Sequence, residues 1–196
     1  MSLRKIHYYS GLTLTLFIGF HLVNHFVSIF GVQYHLDLMD SFRVVYRNIL
    51  VETVLLAAVL VQILSGLKLA FSKKKVMASF YEKVQVYSGL YLAFFLVIHV
   101  SAVLFGRLVL EVDTNFYFGV AGLNAFPLSL FFVPYYSLGI MSFFGHIAAV
   151  HAQKMDKTIL GLSPKAQSHL ILLKGVILTL LILYGSTNGF MGVDFP

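Results

Sequence analysis

The chain has no cysteine and no tryptophan, and it has few charged residues. Without thiols it has no disulfide, no thiolate-bound zinc and no cysteine-bound iron–sulfur cluster. Charged residues make up 11% of the chain and hydrophobic residues 59%, against about 25% and about 45–50% in an average soluble domain. A water-soluble fold would have nowhere to bury so much apolar surface. The composition therefore predicts a membrane protein, whose 11 Tyr and 19 Phe must supply any aromatic belt.

Long apolar stretches set the architecture. Five of them occur, at about 6–31, 49–71, 85–106, 128–153 and 167–190. Each is long enough to cross a hydrocarbon core of about 30 Å at about 1.5 Å per residue. We predict an all-α integral membrane protein, a single domain over 1–196 built as a bundle of five transmembrane helices. The apolar, glycine-broken segment 116–126 predicts an interfacial segment or a short half-helix before span IV.

The distribution of basic residues predicts the orientation. Eleven of the 14 Lys and Arg residues lie before span I or around the II–III and IV–V turns, including Lys73, Lys74 and Lys75. Short basic loops stay in the cytoplasm. We therefore expect a cytoplasmic N-terminus and an external C-terminus. The net charge of +6 is then a sign of topology, and no nucleic-acid partner is predicted.

Spans I and III carry the same motif. Residues 9–21 (YSGLTLTLFIGFH) align without gaps with residues 87–99 (YSGLYLAFFLVIH), and seven of the thirteen positions are identical. Both spans run outward, so His21 and His99 are expected at one depth in the outer half, about 24 Å from the inner end. Imidazole inside a membrane needs a partner. Two at one depth on parallel helices suit axial ligation of one haem iron, and the alternative is an interhelical hydrogen-bonded pair.

A second site is indicated closer to the inner side. Ser10 and Ser88 lie eleven residues before the two histidines and on the same helix faces, about 16 Å deeper. His146 of span IV reaches a similar depth, where its alternative role is a hydrogen bond to a nearby hydroxyl group. At that depth span II offers Gln62 and no histidine. The pattern predicts a slot for a second flat group, without a pair of histidine ligands.

The remaining polar residues are assigned by their depth. His25, Arg43 and Arg47 lie toward the outer end, where haem propionates would be; interfacial solvation and headgroup anchoring are the alternatives. Glu52 is expected to pair with one of the two arginines. The remaining histidines are interpreted as ordinary polar residues, with His35 in an outer loop and the others near the inner interface: His7, His151 and His169.

At these residues the chain resembles the dihaem cytochrome b membrane-anchor subunit of the succinate dehydrogenase and fumarate reductase (succinate:quinone oxidoreductase) family. The resemblance implies haem b, a quinone as redox partner, flavoprotein and iron–sulfur subunits on the cytoplasmic side, and a bacterial-type inner membrane. It implies His21 and His99 as ligands of the outer haem and His146 as the span IV ligand of an inner haem. Gln62 stands where the span II ligand belongs. The inner haem is then absent, five-coordinate through His146, or replaced by another flat ligand.

Two alternative functions remain open beside electron transfer as a non-catalytic anchor subunit. One is a stand-alone membrane haem protein that acts as a haem carrier, a sensor or a quinone-linked reductase. The other is a haem-free helical transporter or scaffold. The chain has no flavin or iron–sulfur motif of its own, so any succinate or fumarate chemistry would belong to other subunits.

Overall fold

A computed structural model describes residues 2–73 and 77–196, so the predicted basic turn at Lys74 and Lys75 lies outside the described residues. The helices are α1 Leu3–Val27, α2 Val32–Tyr46, α3 Ile49–Lys73, α4 Phe80–Leu108, α5 Phe116–Val120, α6 Ser129–Lys154 and α7 Pro164–Ser186. Short 3-10 helices follow α1 at Ser28–Phe30 and α5 at Ala121–Leu123.

Five of these segments are long and apolar enough to cross a membrane: Leu3–Phe30, Ile49–Ser72, Phe80–Leu108, Ser129–Lys154 and Pro164–Ser186. They confirm the five predicted spans. The largest difference is at the start of α4, which begins five residues before the predicted position. There the Ser79 side chain accepts from the Glu82 backbone N–H and the Glu82 carboxylate accepts from the Ser79 N–H. This capping box satisfies two N–H groups at the helix start.

The five long helices form a closed ring. Contacts run from α1 to α3, α4, α6 and α7 in turn, and α7 packs back against α1. Glycine makes the closure possible, because a Cβ atom at Gly185 of α7 would lie 2.3 Å from Ser28 Oγ and 2.7 Å from the Ile29 nitrogen. The bundle end that holds Leu3, Phe80 and Pro164 is called the basic end below, and the opposite end is called the cap end.

The cap end is covered by α2 and α5. A cluster of buried apolar residues lies here, formed by Phe116, Val120 and Leu123. The predicted half-helix before span IV is therefore present as α5, and it forms a core. The prediction of a loop around His35 was wrong, because this residue lies in the 15-residue helix α2 and is only 2% exposed. Its ring packs edge-on against Phe116, with ring centroids 5.0 Å apart.

Candidate cofactor-binding site

His21 and His99 face each other across the ring. Their ring centroids are 6.0 Å apart and their planes differ by 71°. His21 lies 18 residues after the start of α1 and His99 lies 19 residues after the start of α4, so the two are at nearly equal depth on helices of the same direction. Two imidazoles on opposite sides of one iron, each nitrogen about 2 Å from the metal, would have centroids about 6 Å apart. The separation of the two rings fits a haem iron.

A phenylalanine one turn earlier stacks on each of these histidines. Phe17 lies on His21 with centroids 5.8 Å apart and an interplanar angle of 19°. Phe95 lies on His99 with centroids 5.1 Å apart and an angle of 12°. Because Phe17 and Phe95 occupy the same position of the sequence repeat, the repeat extends to the way in which each histidine is held.

His25 is in direct contact with His21. Their Nε2 atoms are 3.2 Å apart, and their ring centroids are 4.6 Å apart. His35 follows, with its centroid 5.1 Å from that of His25. A row of imidazoles therefore leads from His99, inside the ring of five helices, to His35 of α2 at the cap end.

His35 was missed by sequence reasoning. Its Nε2 atom lies 3.1 Å from Nδ2 of Asn24, which is buried in α1. The pKa of His35 is lowered to about 4: burial is the largest cause, a hydrogen bond with the Asn24 backbone partly opposes it, and the positive charge of Arg43 adds to the lowering. One signal could have placed His35 inside: it lies four residues before Met39, so the two share one face of a helix, and they are the two buried positions of α2.

Arg43 and Arg47 connect the cap to the loop after α4. Arg43 makes a bidentate pair with Asp113, at 2.8 and 3.3 Å, and a second contact with Asp40. Arg47 Nη2 lies 3.6 Å from Asp113 Oδ1 and donates to the Thr114 hydroxyl. Burial would raise the pKa of Asp113, but the hydrogen bond and charge of Arg43 outweigh it and leave that pKa lowered. The role of the two arginines toward propionates stays a prediction.

Glu52 has a different partner from the one expected. Its carboxylate accepts two hydrogen bonds from Arg107 at the end of α4. The predicted pairing of Glu52 with Arg43 or Arg47 was wrong, because both of those arginines turn toward Asp113. Each of the three basic residues at the cap end thus has a carboxylate partner.

At the second site, Gln62 and His146 occupy matching positions. Ser10 donates to Gln62 Oε1 at 2.7 Å, and a Cβ atom at Gly11 would lie 3.1 Å from Gln62 Nε2. Ser88 Oγ lies 3.3 Å from His146 Nδ1, and a Cβ atom at Gly89 would lie 3.2 Å from His146 Cε1. Each Ser-Gly pair of the repeat holds one of the two side chains, so Gln62 is the counterpart of His146.

His7 also belongs to this second site, although the sequence suggested an ordinary polar residue. Its Nδ1 atom lies 2.9 Å from Ser65 Oγ and its Nε2 atom lies 3.3 Å from Gln62 Nε2. Its ring rests on Gly66, where a Cβ atom would come within 3.2 Å. The helix α3, which is span II, therefore has no histidine of its own at this level, but His7 of α1 packs against it there.

Within the described residues, no three or more His, Asp and Glu side chains form a group that could hold a metal ion. A haem iron needs only two protein ligands, and the facing pair His21 and His99 would be enough to hold one. No protein-family model matches the chain, no curated protein is similar to it, and no solved structure matches it. The assignment of a function therefore depends on the geometry of the site.

Proposed function

We propose that this chain is a b-type cytochrome of the membrane, in which His21 and His99 bind one haem from opposite sides. The observation that carries the proposal is their arrangement: two imidazoles at matched depth, with centroids 6.0 Å apart, on helices that repeat the same motif. Burial of two imidazoles in an apolar bundle is costly unless they gain a partner, and an iron atom is a suitable one.

The chain's own residues would fix the ligands and exclude water. Phe17 and Phe95 hold the planes of the two imidazoles through stacking. Coordination of His21 through Nε2 would replace its present contact with His25, whose ring would then be available to a haem propionate. Haem supplies one-electron redox chemistry, and the protein sets its orientation and potential.

The wider role is electron transfer to or from a quinone dissolved in the membrane. The proposed orientation, with the basic end in the cytoplasm of a bacterial-type cell, follows from the excess of Lys and Arg there. Flavoprotein and iron–sulfur subunits would dock at the basic end if the chain is a membrane anchor. Co-purification of such subunits distinguishes the anchor from a stand-alone haem protein.

The test is an absorption spectrum and a pyridine haemochrome assay of the purified protein, followed by three alanine variants. We expect low-spin haem in the wild type and none in His21→Ala or His99→Ala. His25→Ala is the matched control on α1 and should keep the low-spin spectrum. A purified wild type that takes up no haem would contradict the proposal, and loss of the spectrum only in His25→Ala would transfer the ligand role to His25.

A further inference from the structure

Phe95 stacks on two other rings. Its ring lies on His99, with centroids 5.1 Å apart and a 12° interplanar angle, and on Tyr135, at 4.8 Å and 28°. Tyr135 is 4% exposed, and its hydroxyl donates to the Phe95 carbonyl at 3.2 Å. The hydroxyl of Tyr91 donates to the Tyr135 carbonyl at 3.0 Å. These bonds connect α4 to α6 around the Phe95 ring.

Gly139 lies against the edge of the same ring. A Cβ atom at this position would lie 2.7 Å from Phe95 Cε2, 2.8 Å from Cδ2 and 3.1 Å from Cζ. An aromatic ring is rigid, and both Tyr135 and His99 stack on this one. The ring therefore has no easy way to avoid a methyl group, and only glycine leaves room for Phe95 in its present place.

We propose that Gly139 and Phe95 are positioning residues that set the plane of the His99 imidazole. Gly139 admits the Phe95 ring, and that ring prevents His99 from turning about its Cβ–Cγ bond. The inference rests on the proposed haem site, because its consequence is electronic. The angle between two axial imidazoles decides how strongly the d orbitals of a low-spin iron are split, and here the planes differ by 71°.

The experiment is electron paramagnetic resonance of the oxidised haem protein in a double-mutant cycle. The wild type should give the strongly axial low-spin signal that near-perpendicular imidazoles produce. Gly139→Ala should retain haem but shift the largest g value, because displaced Phe95 turns His99. Phe95→Leu should shift or broaden the signal as well. In the Phe95→Leu background, adding Gly139→Ala should change nothing further, since the ring that carried the effect is gone.

Gly19→Ala is the matched control, because a Cβ atom at this glycine of α1 meets nothing within 4 Å. Its signal should equal that of the wild type. Equal shifts from Gly139→Ala with and without Phe95 would overturn the inference. An unchanged signal in Phe95→Leu would also overturn it, and this variant tests the inference even if Gly139→Ala does not fold. A wild type with haem but with variants indistinguishable from it contradicts this inference alone, whereas a wild type without haem contradicts the proposed function and the inference with it.

Discussion

In the proposed cytochrome, Gln62 is the side chain that would decide the number of haems. It occupies the same kind of Ser-Gly notch as His146, with contacts of 2.7 Å to Ser10 and 3.3 Å to His7. A neutral amide is a poor ligand for haem iron compared with imidazole. At the level of single residues, the second site therefore differs from a bis-histidine site by one position on α3.

We expect Gln62→His to create a second low-spin haem in the same fold. The new imidazole would point into the helix bundle from the position on α3 that corresponds to His146 on α6. The measurement is haem per chain by pyridine haemochrome, which should rise from one to two. Gln62→Leu, which removes the amide without supplying a ligand, should leave the ratio at one. Two low-spin haems already present in the wild type would mean that another residue, with His7 the nearest candidate, acts as the missing ligand.

The same residues show what a sequence can predict at this scale. His21 and His99 were predictable because a gapless repeat places both at one depth, and depth along a helix follows directly from residue number. The contacts of His7 with Ser65 and Gln62 were not predictable. They depend on the rotation of α1 relative to α3, which side-chain packing decides and which no repeat or period encodes.

Among the elements, the cap formed by α2 and α5 is the least predictable from sequence. The five spans are evident from long apolar runs, but α2 carries charges, buries only two positions and has no apolar run. Its place is set by tertiary contacts, namely the His35 contact with Asn24 and the Arg43 pair with Asp113. These contacts join α2 to residues of other elements, 11 positions away in the first case and 70 in the second, so the local pattern of α2 does not reveal them.

The Arg43–Asp113 pair should hold α2 closed. Asp113→Asn removes a bidentate, charge-assisted contact in which Arg43 is largely buried and Asp113 is half exposed, and we expect a loss of about 1 kcal/mol in the opening free energy of α2. Amide hydrogen exchange of 32–46 in detergent measures it. Asp37→Asn, on the exposed side of the same helix and bonded to Gln33, is the control and should change exchange little. Equal effects of the two substitutions would show that the pair with Arg43 does not hold the cap.

The cap should also loosen in acid through His35. Its pKa in the closed cap is lowered to about 4, mainly by burial, while an exposed histidine titrates near about 6.5. The open form thus binds the proton more readily, so the closed form is fully stable above about pH 6.5 and loses about 1.4 kcal/mol per pH unit down to about pH 4. The charged or titratable groups near this ring are Arg43 on α2 and His25 on α1.

Exchange of α2 amides, corrected for the intrinsic pH dependence of exchange, measures this effect between pH 7 and pH 4.5. His35→Gln should flatten the profile over this range. The lowered pKa of Asp113 means that the stabilisation by this carboxylate is lost only at still lower pH. A wild-type profile as flat as that of the variant would show that His35 does not control the cap.

Ring closure by α7 depends on the absence of a side chain at Gly185. A methyl group there would meet the Ser28 hydroxyl and the backbone nitrogen of Ile29 within 2.3–2.7 Å, and backbone cannot rotate away. We expect Gly185→Ala to cost about 1–3 kcal/mol, measured as a lower midpoint of thermal unfolding in detergent. Gly19→Ala, with open space around its Cβ position, should be neutral or slightly stabilising, because alanine is the better helix former. Equal midpoints for the two variants would contradict tight packing of α7 on α1.

For the whole molecule, the arrangement of charge gives the topology a physical basis. Arg43, Arg47 and Arg107 at the cap end are all paired with Asp113 or Glu52. The cap end has only these three of the 14 Lys and Arg residues but six of the eight acidic residues, whereas the other eleven Lys and Arg lie at the basic end. Because short loops rich in Lys and Arg are retained in the cytoplasm, this asymmetry favours a cytoplasmic basic end.

The absence of cysteine makes this orientation directly measurable, since any introduced thiol is the only one in the chain. Leu160→Cys lies in the turn between α6 and α7 at the basic end, where the side chain is 95% exposed, and Phe126→Cys lies at the cap end, where it is 83% exposed. In intact cells with a permeable outer envelope, a membrane-impermeant maleimide should label the Phe126→Cys variant and leave Leu160→Cys unlabelled until the membrane is broken. Both should react equally after lysis, which controls for intrinsic reactivity. Labelling of Leu160→Cys alone in intact cells would reverse the orientation, and would place the His21–His99 pair in the cytoplasmic half of the membrane.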